Sequence, residues 1–163
     1  MLLSVGLVAC GGGGGGGVAA PITTTANVQL QPVVIGPGQT IGDLLVTLSD
    51  SPDSGLALLQ GTLKLPPEIR LPASDRLSPS IPVVTLDGDF TGGGDFTVIC
   101  GDATNQEAQP LPAGPLFEIR LMPSEPRQPG SYTVTLMNVR ASTSAGDSVQ
   151  LAQTTLTALV TIE

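Results

Sequence analysis

An all-β chain, folded as a two-sheet antiparallel β-sandwich, is what this sequence predicts, and three observations predict it. Apolar residues alternate with polar ones in several short runs, no segment sustains a 3.6-residue period, and Gly, Pro, Asp and Ser separate the runs. Half-buried strands of this kind cover their apolar faces by stacking one sheet on another. At 163 residues the chain has the length of one domain. Its 40% apolar content separates it from disordered acidic chains, which combine high charge with low hydrophobicity. The aromatic residues are Phe90, Phe96, Phe117 and Tyr132, so the core must be built from Leu, Val, Ile and Ala.

Residues 1–9, MLLSVGLVA, form an apolar run too short to span a bilayer, which takes about 20 residues. The run suits the hydrophobic region of a secretory signal, although it holds no Lys or Arg. Leu7-Val8-Ala9-Cys10 resembles the lipobox of bacterial lipoproteins. That resemblance implies a signal peptide over residues 1–9, cleavage before Cys10 and lipidation of its sulfur. Acyl chains would then hold the protein on a membrane, each buried CH₂ contributing about 0.8 kcal/mol. The alternative is a core cysteine in an N-terminal strand. Gly11 to Gly17 disfavour it, since glycine loses the most backbone entropy on ordering. Residues 10–27 read as a lipidated Cys and a flexible Gly/Thr-rich tether. Residues 11–27 would reach roughly 20–25 Å. The expected location is the cell envelope, lipid-anchored and outside the cytoplasm.

The sandwich domain is expected over residues 28–163. Strand signals run over residues 28–35, 40–48, 59–65, 81–86, 95–100, 117–121, 132–136 and 156–162. Leu59, Gly61, Leu63 and Leu65 alternate with polar residues, as do Tyr132, Val134 and Leu136. Leu156, Ala158, Val160 and Ile162 repeat the pattern with Thr between them. Gly36-Pro37-Gly38, Ser51 to Gly55, Pro129-Gly130 and Ala145-Gly146-Asp147 carry turn chemistry. Pro66-Pro67 ends its strand because proline cannot donate to a ladder. Residues 71–82 are irregular and predict a surface loop.

Three stretches resemble the cohesin family: "VVIGPGQTIGDLLVTLSD", "LQGTLKLPPEIRL" and "AGPLFEIRLMP…PGSYTVTLMNVRASTSAGDSVQL". They match its order of strands and turns and cover most of residues 28–163, while residues 74–102 carry no matching feature. The resemblance implies a cohesin-like jelly roll, found in bacterial surface proteins, that docks other proteins. No partner-contacting position transfers to a residue here.

The chain has no histidine, which removes His-based triads and metal sites. Cys100 shares the inward parity of Phe96 and Val98 and reads as a core residue with no evident base beside it. Glu118, Asp87, Asp89 and Asp95 could supply a glycosidase pair, but 14 acids will always offer pairs, so no enzyme is expected. A net charge of −8 repels phosphate backbones and argues against nucleic acid. Asp87, Asp89 and Asp95 surround glycines, an oxygen-rich chemistry that calcium accepts, though without EF-hand spacing. The favoured reading there is a solvated turn. With no Trp, and Tyr132 of inward parity, a sugar-stacking row cannot form, so polysaccharide binding stands only as the alternative function. Leu45, Leu159, Met137 and Val139 fall on outward parity and could dock a protein, or equally pack under a loop or the second sheet. The expectation is a non-catalytic, lipid-anchored module with a protein partner.

Overall fold

A computed structural model gives the fold for residues 25–50, 55–81, 85–91, 94–101 and 110–163. The signal-peptide and lipidation expectations, Cys10 included, fall on residues 1–24 and lie outside the described residues. The alternating runs become strands. First come β1 (Thr25–Leu30), β2 (Val33–Ile35), β3 (Gly42–Asp50), β4 (Leu56–Lys64), β5 (Ile69–Arg70) and β6 (Leu77–Pro79). Then follow β7 (Thr85–Phe90), β8 (Phe96–Gly101), β9 (Gly114–Pro123), β10 (Gly130–Thr143), β11 (Ser148–Leu151) and β12 (Leu156–Ile162).

Two layers enclose the core. One is β5-β9-β3-β1, with β6 also paired to β9. The other is β10-β4-β8-β7, with β12 beside β10 and β2 beside β12. β11 sits between β10 and β1 and joins the layers, so hydrogen bonding continues round one side of the domain as a curled sheet. The strands pair antiparallel except β1 with β11 and β2 with β12. From one layer Leu44, Val46, Leu48, Ile119 and Leu121 join Leu59, Leu63, Val98, Val134 and Leu136 of the other, each at 1% exposure or less. Full burial of such side chains contributes about 1.5–3 kcal/mol each, so this aliphatic cluster holds the layers together.

The run over residues 28–35 breaks into β1 and β2 at Pro32, which has no N–H for a ladder. β1 pairs with β3, and β2 crosses to pair with β12. β1 also begins at Thr25, so residues 25–27, expected as tether, are strand, and Ala26 is fully buried. Residues 71–82, expected as a loop, contain β6, which pairs with Ile119, Glu118 and Phe117 of β9. Three residues ending in proline are too short to display a period.

A larger departure lies in β10. Met137 opposes Thr62 and Arg140 opposes Gln60, so Asn138 and Val139 together oppose the single Gly61. This is a β-bulge, and it reverses which face the following residues occupy. Asn138 adopts φ 53°, a left-handed conformation that asparagine tolerates better than most residues. Val139, expected on the outer face, is turned inward and 1% exposed. Met137 keeps its outward parity and is half-buried.

At the far end of the domain Arg127 ties β12 to the β2–β3 turn. Its Nη1 donates to Gln39 O at 2.7 Å, and its Nη2 to Ile35 O at 2.9 Å and Gly36 O at 2.8 Å. Nε and Nη2 donate to Glu163 O at 3.1 and 2.8 Å. The planar five-donor fork suits such a ring of carbonyls better than a lysine would.

Candidate functional site

The alternation that fills the core also builds the outer face of β7-β8-β4-β10. With Leu59, Gly61 and Leu63 inward, β4 turns Leu58, Gln60 and Thr62 outward. With Phe96, Val98 and Cys100 inward, β8 turns Thr97 and Ile99 outward. Gln60 stands opposite Ile99 on one side and Arg140 on the other, and Leu58 is the diagonal neighbour of Ile99. Leu58 and Ile99 are each 37% exposed, adjacent on two interior strands.

Beside them lies a depression of about 360 Å³ lined by Gln60, Gly61, Thr62, Asn138 and Arg140. It sits at the bulge, where two residues of β10 face one of β4 and the strand bends. Gly61 is held there by packing, since a Cβ would come within 2.9 Å of Leu136 Cδ1. The rim offers amides, hydroxyl and guanidinium next to an aliphatic pair. Such an arrangement can take an apolar side chain together with hydrogen bonds from its flanks. Leu159, expected outward, is 53% exposed further along the face, and Leu45, on the opposite layer, is half-buried.

The acidic residues singled out from the sequence do not sit in a turn together. Asp87 and Asp89 belong to β7, and Asp95 closes the hairpin before β8. Asp87 Oδ1 accepts the Gly88 N–H and Asp89 Oδ1 accepts the Phe90 N–H, each at 2.7 Å, while Asp95 Oδ2 lies 3.7 Å from Lys64 Nζ. Among the described residues no group of three or more His, Cys, Asp or Glu could hold a metal ion.

Cys100 is fully buried, and burial pushes its thiol up to about 12, so it is protonated and shielded at neutral pH. Tyr132 is half-buried and donates its hydroxyl to Gln128 O at 3.1 Å. Phe90 is the exposed aromatic, 46% exposed at the β7 edge and capped by the Arg76 guanidinium at 4.8 Å. One ring does not make a platform for stacking on sugars. Leu58 and Ile99 are not among the residues the sequence singled out, although the parity of their own strands turns them outward. Asn138 and Arg140 were not readable from parity, because the bulge resets it before Arg140.

No protein-family model matches the sequence, and no curated protein does. Solved structures do match. The sixth cohesin of scaffoldin B from Acetivibrio cellulolyticus, in complex with a Cel5 dockerin variant, is similar at 14% identity and a TM-score of 0.69, covering 86% of this chain and 100% of that one. The cohesin of the Coh-OlpA-Doc918 complex from Clostridium thermocellum is similar at 14% identity and a TM-score of 0.65, covering 86% and 100%. The non-cellulosomal cohesin of the hyperthermophilic archaeon Archaeoglobus fulgidus is similar at 13% identity and a TM-score of 0.64, covering 86% and 92%. The chain therefore has an all-β fold like that of cohesin modules.

Proposed function

From a fold like that of cohesin modules, we propose that this chain is a non-catalytic protein-binding module of the cell envelope. Its partner docks on the outer face of β7-β8-β4-β10, and a lipid on Cys10 holds the module to a membrane. The observation that carries the reading is the exposed pair Leu58 and Ile99 beside the polar depression at Gly61. An aliphatic centre inside a hydrogen-bonding rim is how interface cores are composed. Two of the similar structures hold a dockerin, which supports a protein as the partner class. The anchor draws its support from the Leu7-Val8-Ala9-Cys10 resemblance.

Crosslinked capture from envelope extract tests the surface. The native chain retains a protein that a Leu58→Glu/Ile99→Glu variant of equal melting temperature loses; equal retention by both ends the proposal. Radiolabelled palmitate tests the anchor, with incorporation expected into the native chain and none into Cys10→Ser.

A further inference from the structure

β7 is the terminal strand of its layer, and among the described residues it pairs with β8 alone. An open edge offers its free N–H and C=O groups to a foreign strand. The hairpin fixes which groups those are. Thr91 N–H donates to Asp95 O at 2.8 Å, at the position of a hydrogen-bonded pair, while Thr91 O accepts the Gly94 N–H at 3.3 Å. In an antiparallel ladder such pairs alternate, so Asp89 with Thr97 and Asp87 with Ile99 also exchange bonds. The N–H groups of Leu86, Gly88 and Phe90 therefore point to the open edge.

Two of those three donors are already occupied. The Gly88 and Phe90 N–H groups donate to Asp87 Oδ1 and Asp89 Oδ1, the carboxylates of the residues just before them. Both aspartates are exposed, and no strand of the described residues hydrogen-bonds to this edge, although β6 packs close to β7. A depression of about 180 Å³ separates residues 73–77 from β7. Gly88 completes the pattern, because a side chain at that position would collide with the Phe96 ring.

We propose that Asp87 and Asp89 are edge guards, withholding the β7 donors from the β7 strand of a second copy of this chain. A second copy is the occupant the geometry favours, since two identical antiparallel edges are complementary about a two-fold axis. The guard acts by filling donors. Its charge adds repulsion between approaching copies.

Three full-length proteins test this: the native chain, D87A/D89A, and D87N/D89N, whose amide oxygens still accept the two N–H groups without charge. Light scattering across a concentration series and amide exchange are the readouts. In the native protein Gly88 and Phe90 should exchange about tenfold more slowly than Leu86 on the same edge, as a net hydrogen bond implies. The alanine variant should lose that protection and form a concentration-dependent dimer, while the asparagine variant stays monomeric. A folded alanine variant that remains monomeric throughout overturns the proposal. So does an asparagine variant that dimerises as readily as the alanine one. Should the alanine variant fail to fold, the native exchange pattern decides alone: Gly88 and Phe90 as fast as Leu86 overturns it.

Discussion

On the outer face of β9-β3, the aliphatic Leu45 is half-buried and stands opposite Glu118, while Asp43 reaches Arg120 at 3.9 Å in the next rank. On the outer face of β8-β4, Leu58 and Ile99 stand bare at 37% exposure, with Gln60 and Thr97 for neighbours. The same period-two rule made both faces, and each carries aliphatic residues on outward parity. Only one shelters them among charges. The two faces thus differ at these positions, and the bulge at Asn138 places a polar depression directly beside Leu58 and Ile99.

The largest effect expected from this contrast is on binding. Leu58→Glu with Ile99→Glu should weaken partner capture by about 100-fold or more, as loss of central interface residues does. Folding stability should stay within about 0.5 kcal/mol of native, as for most surface changes. Leu45→Glu should do the reverse, keeping capture and losing about 1–2 kcal/mol in urea unfolding, because that side chain is half-buried. Capture lost by Leu45→Glu and kept by the Leu58/Ile99 pair would exchange the roles of the two faces.

The bulge that shapes the depression can be broken next. Val139→Ala should cost about 2 kcal/mol, a cavity-forming change in the core, while Met137→Ala on the outer face should cost less than about 1 kcal/mol. Equal costs, or the reverse order, would mean that β10 keeps a simple alternation past Asn138.

How far these features can be read from residues alone follows from their size. Runs such as those ending in Leu65, Leu136 and Ile162 span several periods, and their phase gave the inward faces and Leu159 outward; Leu58 and Ile99 follow the phase of their strands but were missed. A bulge inserts one residue into a strand without changing its composition, so Val139 carried no mark of its reversal. β5 and β6 are two and three residues long and leave no period to read. Asp87-Gly88-Asp89 has the composition of a turn yet forms a strand, because its carboxylates supply the edge acceptors that a neighbouring strand would otherwise provide. The crossing at Pro32 was half visible: proline marks the break, and only the partner strands show the change of layer.

β8 repeats the contrast between faces within two residues, Ile99 outward and Cys100 inward. Burial raises the Cys100 thiol from 9.0 to about 12, so the folded state holds its proton while the unfolded state releases it above pH 9. The sign follows: the contribution is complete below pH 9 and is lost as pH rises from about 9 to about 12, by about 1.4 kcal/mol per pH unit at most. Cys100→Ala should flatten that part of the pH–stability curve. Iodoacetamide should leave the native thiol unmodified and label it in urea.

The smallest effect expected is that of calcium, which bears on the β7 edge beside the proposed docking face. The Asp87 and Asp89 carboxylates already accept N–H groups, and Asp95 lies beside Lys64, so a cation would have to displace these partners to gather three oxygens. Millimolar calcium, compared with chelator, should move the melting temperature by less than about 1 °C. A site filled to about 100 times its Kd would add about 2.7 kcal/mol, a shift of several degrees that is easily resolved. A shift of that size without change of mass would mean that the three carboxylates converge in solution. Accompanied by dimerisation, it would mean that the cation had drawn Asp87 and Asp89 off the edge and left Gly88 and Phe90 open to another strand.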